Sequence, residues 1–204
     1  MIKNIIFDMG NVLIRFDREV FLTRLGVPQA DRELLKREVF QSLEWARMDR
    51  GSMTDAEAAQ SICRRLPEHL HEAAEKLVQM WDRPILPVPG MLELIRELKE
   101  KGYGIYLLSN ASLRQHDYWP RVEASHYFDG TLISADVKLV KPQPEIYRLL
   151  LEQFGLKGEE CFFVDDLPSN VEGAFYVGIP GAVFHNDITR LRQDLRSAGV
   201  DVKE

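Results

Sequence analysis

The chain has 204 residues, 45% of them hydrophobic, enough to bury a substantial core as one domain or as a core with a modest insertion. Its net charge is −6, with lysines and arginines scattered among acids, which excludes the basic footprint of a nucleic-acid binder. Two widely separated cysteines, Cys63 and Cys161, form no metal-ligand spacing, and no stretch has the length of a signal peptide or membrane span; a soluble cytoplasmic protein is the expectation.

An apolar run from Ile2 to Phe7 predicts a buried parallel strand that ends at Asp8. From Asp17 to about Trp81 the pattern is helical only. Leu34, Leu35, Val39 and Phe40 mark a helix over 30–41, and Ala56, Ala59, Ile62, Cys63 and Leu66 mark a second. Leu70, Ala73, Ala74, Leu77 and Val78 mark a third, and Thr54 with Glu57 predicts a capping box. The Pro-rich stretch 84–89 then interrupts the pattern as a rigid connector. After it, strand and helix alternate: a helix around 91–98, strands at 104–108 and 131–134, a helix at 144–154, a strand at 161–164, a short helix at 171–177 and a last strand at 181–184. Alternation of this kind predicts an α/β fold, a Rossmann-like parallel sheet with helices on both faces and an inserted α-helical cap. The expected division is a catalytic core of residues 1–16 and 84–204 and a cap of residues 17–83.

Asp8, Ser109-Asn110, Lys141-Pro142 and Asp165-Asp166 fall at or near the C-terminal ends of predicted strands. Parallel strands bring those ends to one rim, where open α/β sheets bind ligands. Three carboxylates gathered there repel one another unless a cation is present. Hard oxygen ligands suit Mg²⁺, which takes one or two carboxylates together with substrate phosphate. With Lys141 as a point charge and Ser109 and Asn110 as neutral donors, the set fits phosphoryl transfer.

The segments FDMG, LLSN, LVKP and FFVDD, in this order, resemble the four motifs of the haloacid dehalogenase superfamily, and the signature FDMGNVL looks like the branch containing bacterial α-D-glucose-1-phosphate phosphatases. The resemblance implies a nucleophilic Asp8 that forms an aspartyl-phosphate, and a Mg²⁺ site from Asp8, the carbonyl of Gly10, Asp166 and Asp165, the last direct or through water. It implies phosphate contacts from Ser109 and Asn110, a bridging Lys141 and a supporting Asn170. The function so implied is hydrolysis of a small phosphorylated metabolite, such as a sugar 1-phosphate. Two alternatives stay open: a 2-haloacid dehalogenase-type hydrolase, which uses the same nucleophile without metal, and a catalytically weak binding or regulatory relative.

One departure bears on mechanism. Most phosphatases of that superfamily carry Asp two residues after the nucleophile, as the acid for the leaving group, where this chain has Gly10. Loss of a positioned acid forfeits about 10²–10⁴-fold in rate. The expected consequence is a steep dependence on leaving-group basicity, unless Asp17, a cap residue or water donates the proton. Glycine at this position is also compatible with a left-handed backbone that would resist a Cβ. Trp45, with Arg47 and Arg50, lies between two cap helices, and Trp45 is a candidate substrate contact. Arg114, His116 and Trp119 are expected to serve packing or surface roles.

Overall fold

Five strands form one all-parallel sheet in the order β3-β2-β1-β4-β5. In this computed structural model, which describes residues 1–203, they are β1 (Asn4–Phe7), β2 (Gly104–Ser109), β3 (Gly130–Ile133), β4 (Cys161–Asp165) and β5 (Gly181–Val183). The central strands are apolar on both faces because both faces are covered. Ile5, Phe7, Leu107 and Val164 pack into one apolar cluster, which also takes residues of the helices Met91–Glu100 and Ile188–Ser197. Ile6, Leu108 and Phe163 point the other way, into a cluster built with the helices Pro144–Phe154 and Pro168–Phe175. Full burial of an Ile or Phe side chain contributes ~1.5–3 kcal/mol, so the alternation of faces along β1 anchors the middle of the sheet from both sides.

Between β1 and the Pro-rich connector the chain carries helices only: α1 (Arg18–Arg24), α2 (Gln29–Leu35), α3 (Leu43–Asp49), α4 (Asp55–Cys63) and α5 (His71–Met80). They enclose an apolar cluster of their own, including Phe21, Leu35, Val39, Ile62 and Leu77. The capping box at Thr54 and Glu57 is present at the start of α4. The single helix expected over 30–41 is instead α2 followed by a wide π-type turn, Lys36–Phe40, which brings Val39 and Phe40 inward. Likewise the helix expected at 171–177 starts earlier, at Pro168, where a first-turn proline needs no backbone donor.

Beyond the connector come α6 (Met91–Glu100), α7 (Gln115–Tyr118), α8 (Ser134–Val137), α9 (Pro144–Phe154), α10 (Pro168–Phe175) and α11 (Ile188–Ser197). The two linkers to the helical block lie side by side. Arg15 N–H donates to Leu86 O at 2.7 Å and Val88 N–H to Leu13 O at 2.9 Å. The second linker is pinned by Asp82, which is 1% exposed and ion-paired to both Arg114 and Arg121. Among the described residues no helix is long and apolar enough to cross a membrane.

Candidate active site

Asp8 follows directly on β1, and its N–H donates to Val164 O at 2.8 Å, so the nucleophile candidate continues the sheet ladder and has little freedom. The chain then turns tightly: Asn11 N–H donates to Ile14 O, and Leu13 and Ile14 both donate to Met9 O. Asn11 takes a left-handed φ of 55°, which Asn tolerates better than most residues. Its amide spans the gap between two loops, donating to Asp166 Oδ2 at 2.9 Å and accepting from Phe16 N–H at 3.0 Å.

Lys141 enters from the loop between α8 and α9 and is 4% exposed. Its ammonium donates to Asp8 Oδ1 at 2.6 Å, Asp165 Oδ2 at 2.6 Å and Leu108 O at 2.9 Å, using all three donors. Burial alone would lower its pKa, but Asp8 and Asp165 together outweigh burial and raise it. For Asp8, burial is the largest influence and pushes the carboxyl up; Lys141 opposes it and Asp165 reinforces it. Asp165, at 0% exposure, also accepts from Leu167 N–H and from the Asn170 amide. Asn170 therefore holds Asp165, and Asp165 holds Lys141. Asp166, less buried, lines the cavity.

Carboxylate oxygens of Asp8, Asp165 and Asp166 all lie within 4.8 Å of one another. Three carboxylates against one ammonium leave the cluster two negative charges in excess, and its donors are hard oxygens. The residues present fit a divalent cation of the Mg²⁺ type.

The cluster forms one end of a cavity of about 310 Å³. The helical block and linkers contribute apolar and aromatic wall residues, Phe16, Trp45, Met48, Val78 and Trp81, and the core adds Tyr118. Phe16 is the hub, with ring centroids of Trp81 at 4.9 Å, Phe21 at 5.4 Å and Trp45 at 5.7 Å. The Arg18 guanidinium sits 5.9 Å from the Phe16 centroid and 5.7 Å from that of Phe40, and lines the cavity without an ion pair among the described residues.

Several sequence-based expectations change in detail. Ser109 is buried at the end of β2 and is not part of the cavity wall; Asn110, Ala111 and Ser112 are. The Asn110 amide is engaged with the Lys141 backbone, donating to Lys141 O at 3.0 Å and accepting from its N–H at 2.8 Å. It braces the lysine loop. Gly10 does not adopt a left-handed φ, and a Cβ built there meets nothing nearer than Asp8 Oδ2 at 3.9 Å, so the glycine is not a steric necessity. Asp17 caps α1, accepting from Val20 N–H at 3.1 Å, and lies outside the cavity wall. Arg47 and Arg50 are exposed, Arg114 pins Asp82, His116 pairs with Asp136 and Trp119 packs on Phe128.

Trp45 is in the cavity wall and also packs on Phe16 and on Phe40, 5.1 Å away. Trp45→Ala is therefore expected to raise KM and to lower stability together, by about 1–3 kcal/mol for a half-buried aromatic. Steady-state kinetics beside a thermal melt checks this; an unchanged KM would reduce Trp45 to a packing residue. Sequence reading missed Asn11, Phe16, Trp81, Tyr118 and Asp49 as cavity residues. The Gly-Asn pair was a turn signal for Asn11, and Asp49 closes α3 at the helix end where a cation is favoured.

The fold is of the α/β class, an all-parallel sheet with an acid–lysine cluster at its C-terminal rim. The chain belongs to the haloacid dehalogenase-like hydrolase family, whose pattern it matches over residues 2–178. It is 29% identical over 187 residues to a sesquiterpene phosphatase of Aspergillus oryzae, with 88% of each chain covered. It is 30% identical over 113 residues to a chloroplast flavin mononucleotide hydrolase of Arabidopsis thaliana, but that match takes in 55% of this chain and only 46% of the relative. A HAD family enzyme of Bacteroides thetaiotaomicron, crystallised with magnesium and inorganic phosphate, superposes with a TM-score of 0.71 at 24% identity, covering 94% of this chain and 99% of the other; this likeness shows the fold.

Proposed function

We propose that this hydrolase is a Mg²⁺-dependent phosphatase that cleaves a small phosphorylated metabolite through an aspartyl-phosphate on Asp8. The observation that carries the reading is the Asp8–Lys141–Asp165 chain beside Asp166, which places a fixed carboxylate against one ammonium with a net negative charge left for a cation. Asp8, Asp165 and Asp166, with the Gly10 carbonyl, would hold the ion. When bound, it supplies charge neutralisation for the phosphoryl oxygens. Lys141 keeps Asp8 Oδ1 in place, so Oδ2 is the oxygen left to bond to phosphorus as the ester bond breaks. Asn110 and Ser112, in the loop after β2, line the pocket where phosphate oxygens would sit. Residues 17–83 would act as a cap, closing the aromatic end over the leaving group and excluding water.

The metal-free dehalogenase alternative has no use for Asp166, which the turn at Asn11 holds in the cavity wall. The aromatic lining favours a leaving group with an apolar or flat ring face over an open polyol. The sequence-based expectation of a sugar 1-phosphate becomes one arm of the test. Purified protein is assayed with 4-nitrophenyl phosphate, benzyl phosphate, glucose 1-phosphate and glucose 6-phosphate, with Mg²⁺ and with chelator, beside 2-chloropropionate. Phosphate release that requires Mg²⁺, with the lowest KM for the aryl and benzyl esters, is the expected result. Halide release without metal, or no metal-dependent phosphate release, would sink the reading.

A further inference from the structure

The loss of the usual acid at Gly10 leaves a chemical gap. The leaving oxygen of an unactivated ester needs a proton, and the cavity wall contains three carboxyl residues: Asp8, Asp166 and Asp49. Asp8 and Asp166 belong to the cation cluster. Asp49 stands outside it, at the end of α3, and is the carboxyl that the helical block contributes to the cavity wall. Among the described residues its carboxyl has no hydrogen bond and no ion pair, although its neighbours in the wall include Met48, Trp45 and Tyr118. We infer that Asp49 is the proton donor to the leaving group, a cap-borne replacement for the acid absent at Gly10; this rests on the phosphatase reading above.

The placement of Asp49 is held by the core. Ser134 Oγ donates to the Asp49 carbonyl, and the same hydroxyl accepts from Ala111 N–H at 2.9 Å, tying the end of α3 to the loop after β2. Two residues on, Gly51 has a φ of 70°, and a Cβ there would lie 2.1 Å from Ala135 O. Only glycine permits that approach of the helical block to α8. A general acid must be fixed within reach of one oxygen, and this seam fixes it.

The protonation state agrees with the geometry. Burial first, then the negative charges of Asp8 and Asp55, push the Asp49 carboxyl up to about 8, with Lys141 opposing weakly. A carboxyl raised in this direction is shifted toward the protonated form that a donor to the leaving group requires. The other hydroxyl acid in the wall, Tyr118, is pushed the wrong way for donation, above its usual range by burial and by Asp49.

The step balances as follows. A carboxylate oxygen of Asp8 bonds to phosphorus, the ester P–O bond breaks, its electron pair stays on the leaving oxygen, and that oxygen takes the proton of Asp49. The alcohol departs, leaving a phosphorylated Asp8 and an ionised Asp49. Water then bonds to phosphorus and gives a proton to Asp49 as the Asp8 O–P bond breaks, which restores both side chains and releases phosphate.

The test compares two esters of similar size in the full-length protein with Mg²⁺: 4-nitrophenyl phosphate, whose leaving oxygen needs no proton, and benzyl phosphate, whose alkoxide does. kcat/KM reports only the steps through leaving-group departure. Asp49→Asn is expected to lower it for benzyl phosphate by about 10²–10⁴-fold and to leave 4-nitrophenyl phosphate within a few-fold of wild type. Adding Gly10→Asp to Asp49→Asn, where the new Cβ has room, is expected to recover benzyl phosphate selectively. Equal slowing of both esters would make Asp49 a binding or structural residue, and no slowing of either would leave it idle; both overturn the assignment. If wild type cleaves neither ester, the phosphatase reading itself fails, and Asp49 loses its role with it.

Discussion

Asp8→Asn is expected to abolish phosphate release, by on the order of 10⁴–10⁶-fold, because the amide has the shape of the carboxylate without its nucleophilicity. The fold should survive. Asp8 is one of three carboxylates clustered around one ammonium, so its neutralisation removes repulsion with Asp165 and Asp166 while it weakens the pair with Lys141. These two effects oppose each other, and a thermal melt without metal should shift by only a few degrees. A second readout is covalent: rapid acid quench of wild type with substrate should trap a phosphorylated peptide containing Asp8, absent from the variant. Retention of more than a small fraction of wild-type turnover by Asp8→Asn would rule out the covalent route, whatever the substrate.

Lys141→Met should cost both activity and stability, and the stability loss is the more diagnostic. Met has nearly the volume of the lysine stem, so packing against Phe163 is kept. The lost ammonium leaves Asp8 and Asp165 buried with no counter-charge and Leu108 O without its donor. Removing one partner from a buried ion pair costs about 3–5 kcal/mol, which for a domain of this size corresponds to roughly 6–20 °C in Tm. A divalent cation supplies positive charge to the same carboxylates, so saturating Mg²⁺ should recover much of the stability of Lys141→Met and none of its activity. Melting temperatures measured with and without Mg²⁺, for wild type and variant, check the claim. An unchanged Tm in metal-free buffer would mean that the carboxylates are already protonated and that Lys141 is not what balances them. Lys141→Arg is not conservative here, because the three acceptors around Nζ lie within 2.9 Å and leave no room for a planar fork.

The α/β fold was legible in the chain because its signals are local. Apolar runs such as Ile5-Ile6-Phe7 and Phe162-Phe163-Val164 belong to strands covered on both faces, and the observed parallel sheet follows. Thr54 and Glu57 are three residues apart, so their capping box needs nothing beyond its own helix. The rim cluster was legible for a related reason: a strand end is a local feature, and parallel pairing of β1, β2 and β4 carries Asp8, Asn110 and Asp165 to one edge.

Contacts between distant segments were decided only in the tertiary structure. Ser109 and Asn110 are adjacent in sequence, yet the direction of the chain leaving β2 buries the first and turns the second onto the Lys141 backbone. Nothing in the order of residues around Gly10 shows whether its φ is positive; the turn closed by Asn11 and Ile14 does, and it leaves space for a side chain. Trp45, Trp81 and Phe16 come from three separate segments and meet as one aromatic wall because the two linkers pair side by side. Asp49 follows the same rule. In sequence it is one acid among many at the end of a short helix, and it shares a cavity with Asp8 where Gly51 lets the helical block rest against Ala135. Residue type and period set the elements and the edge at which chemistry gathers; the approach of two separately packed units sets which side chains share the cavity, and that approach depends on close contacts no linear spacing encodes.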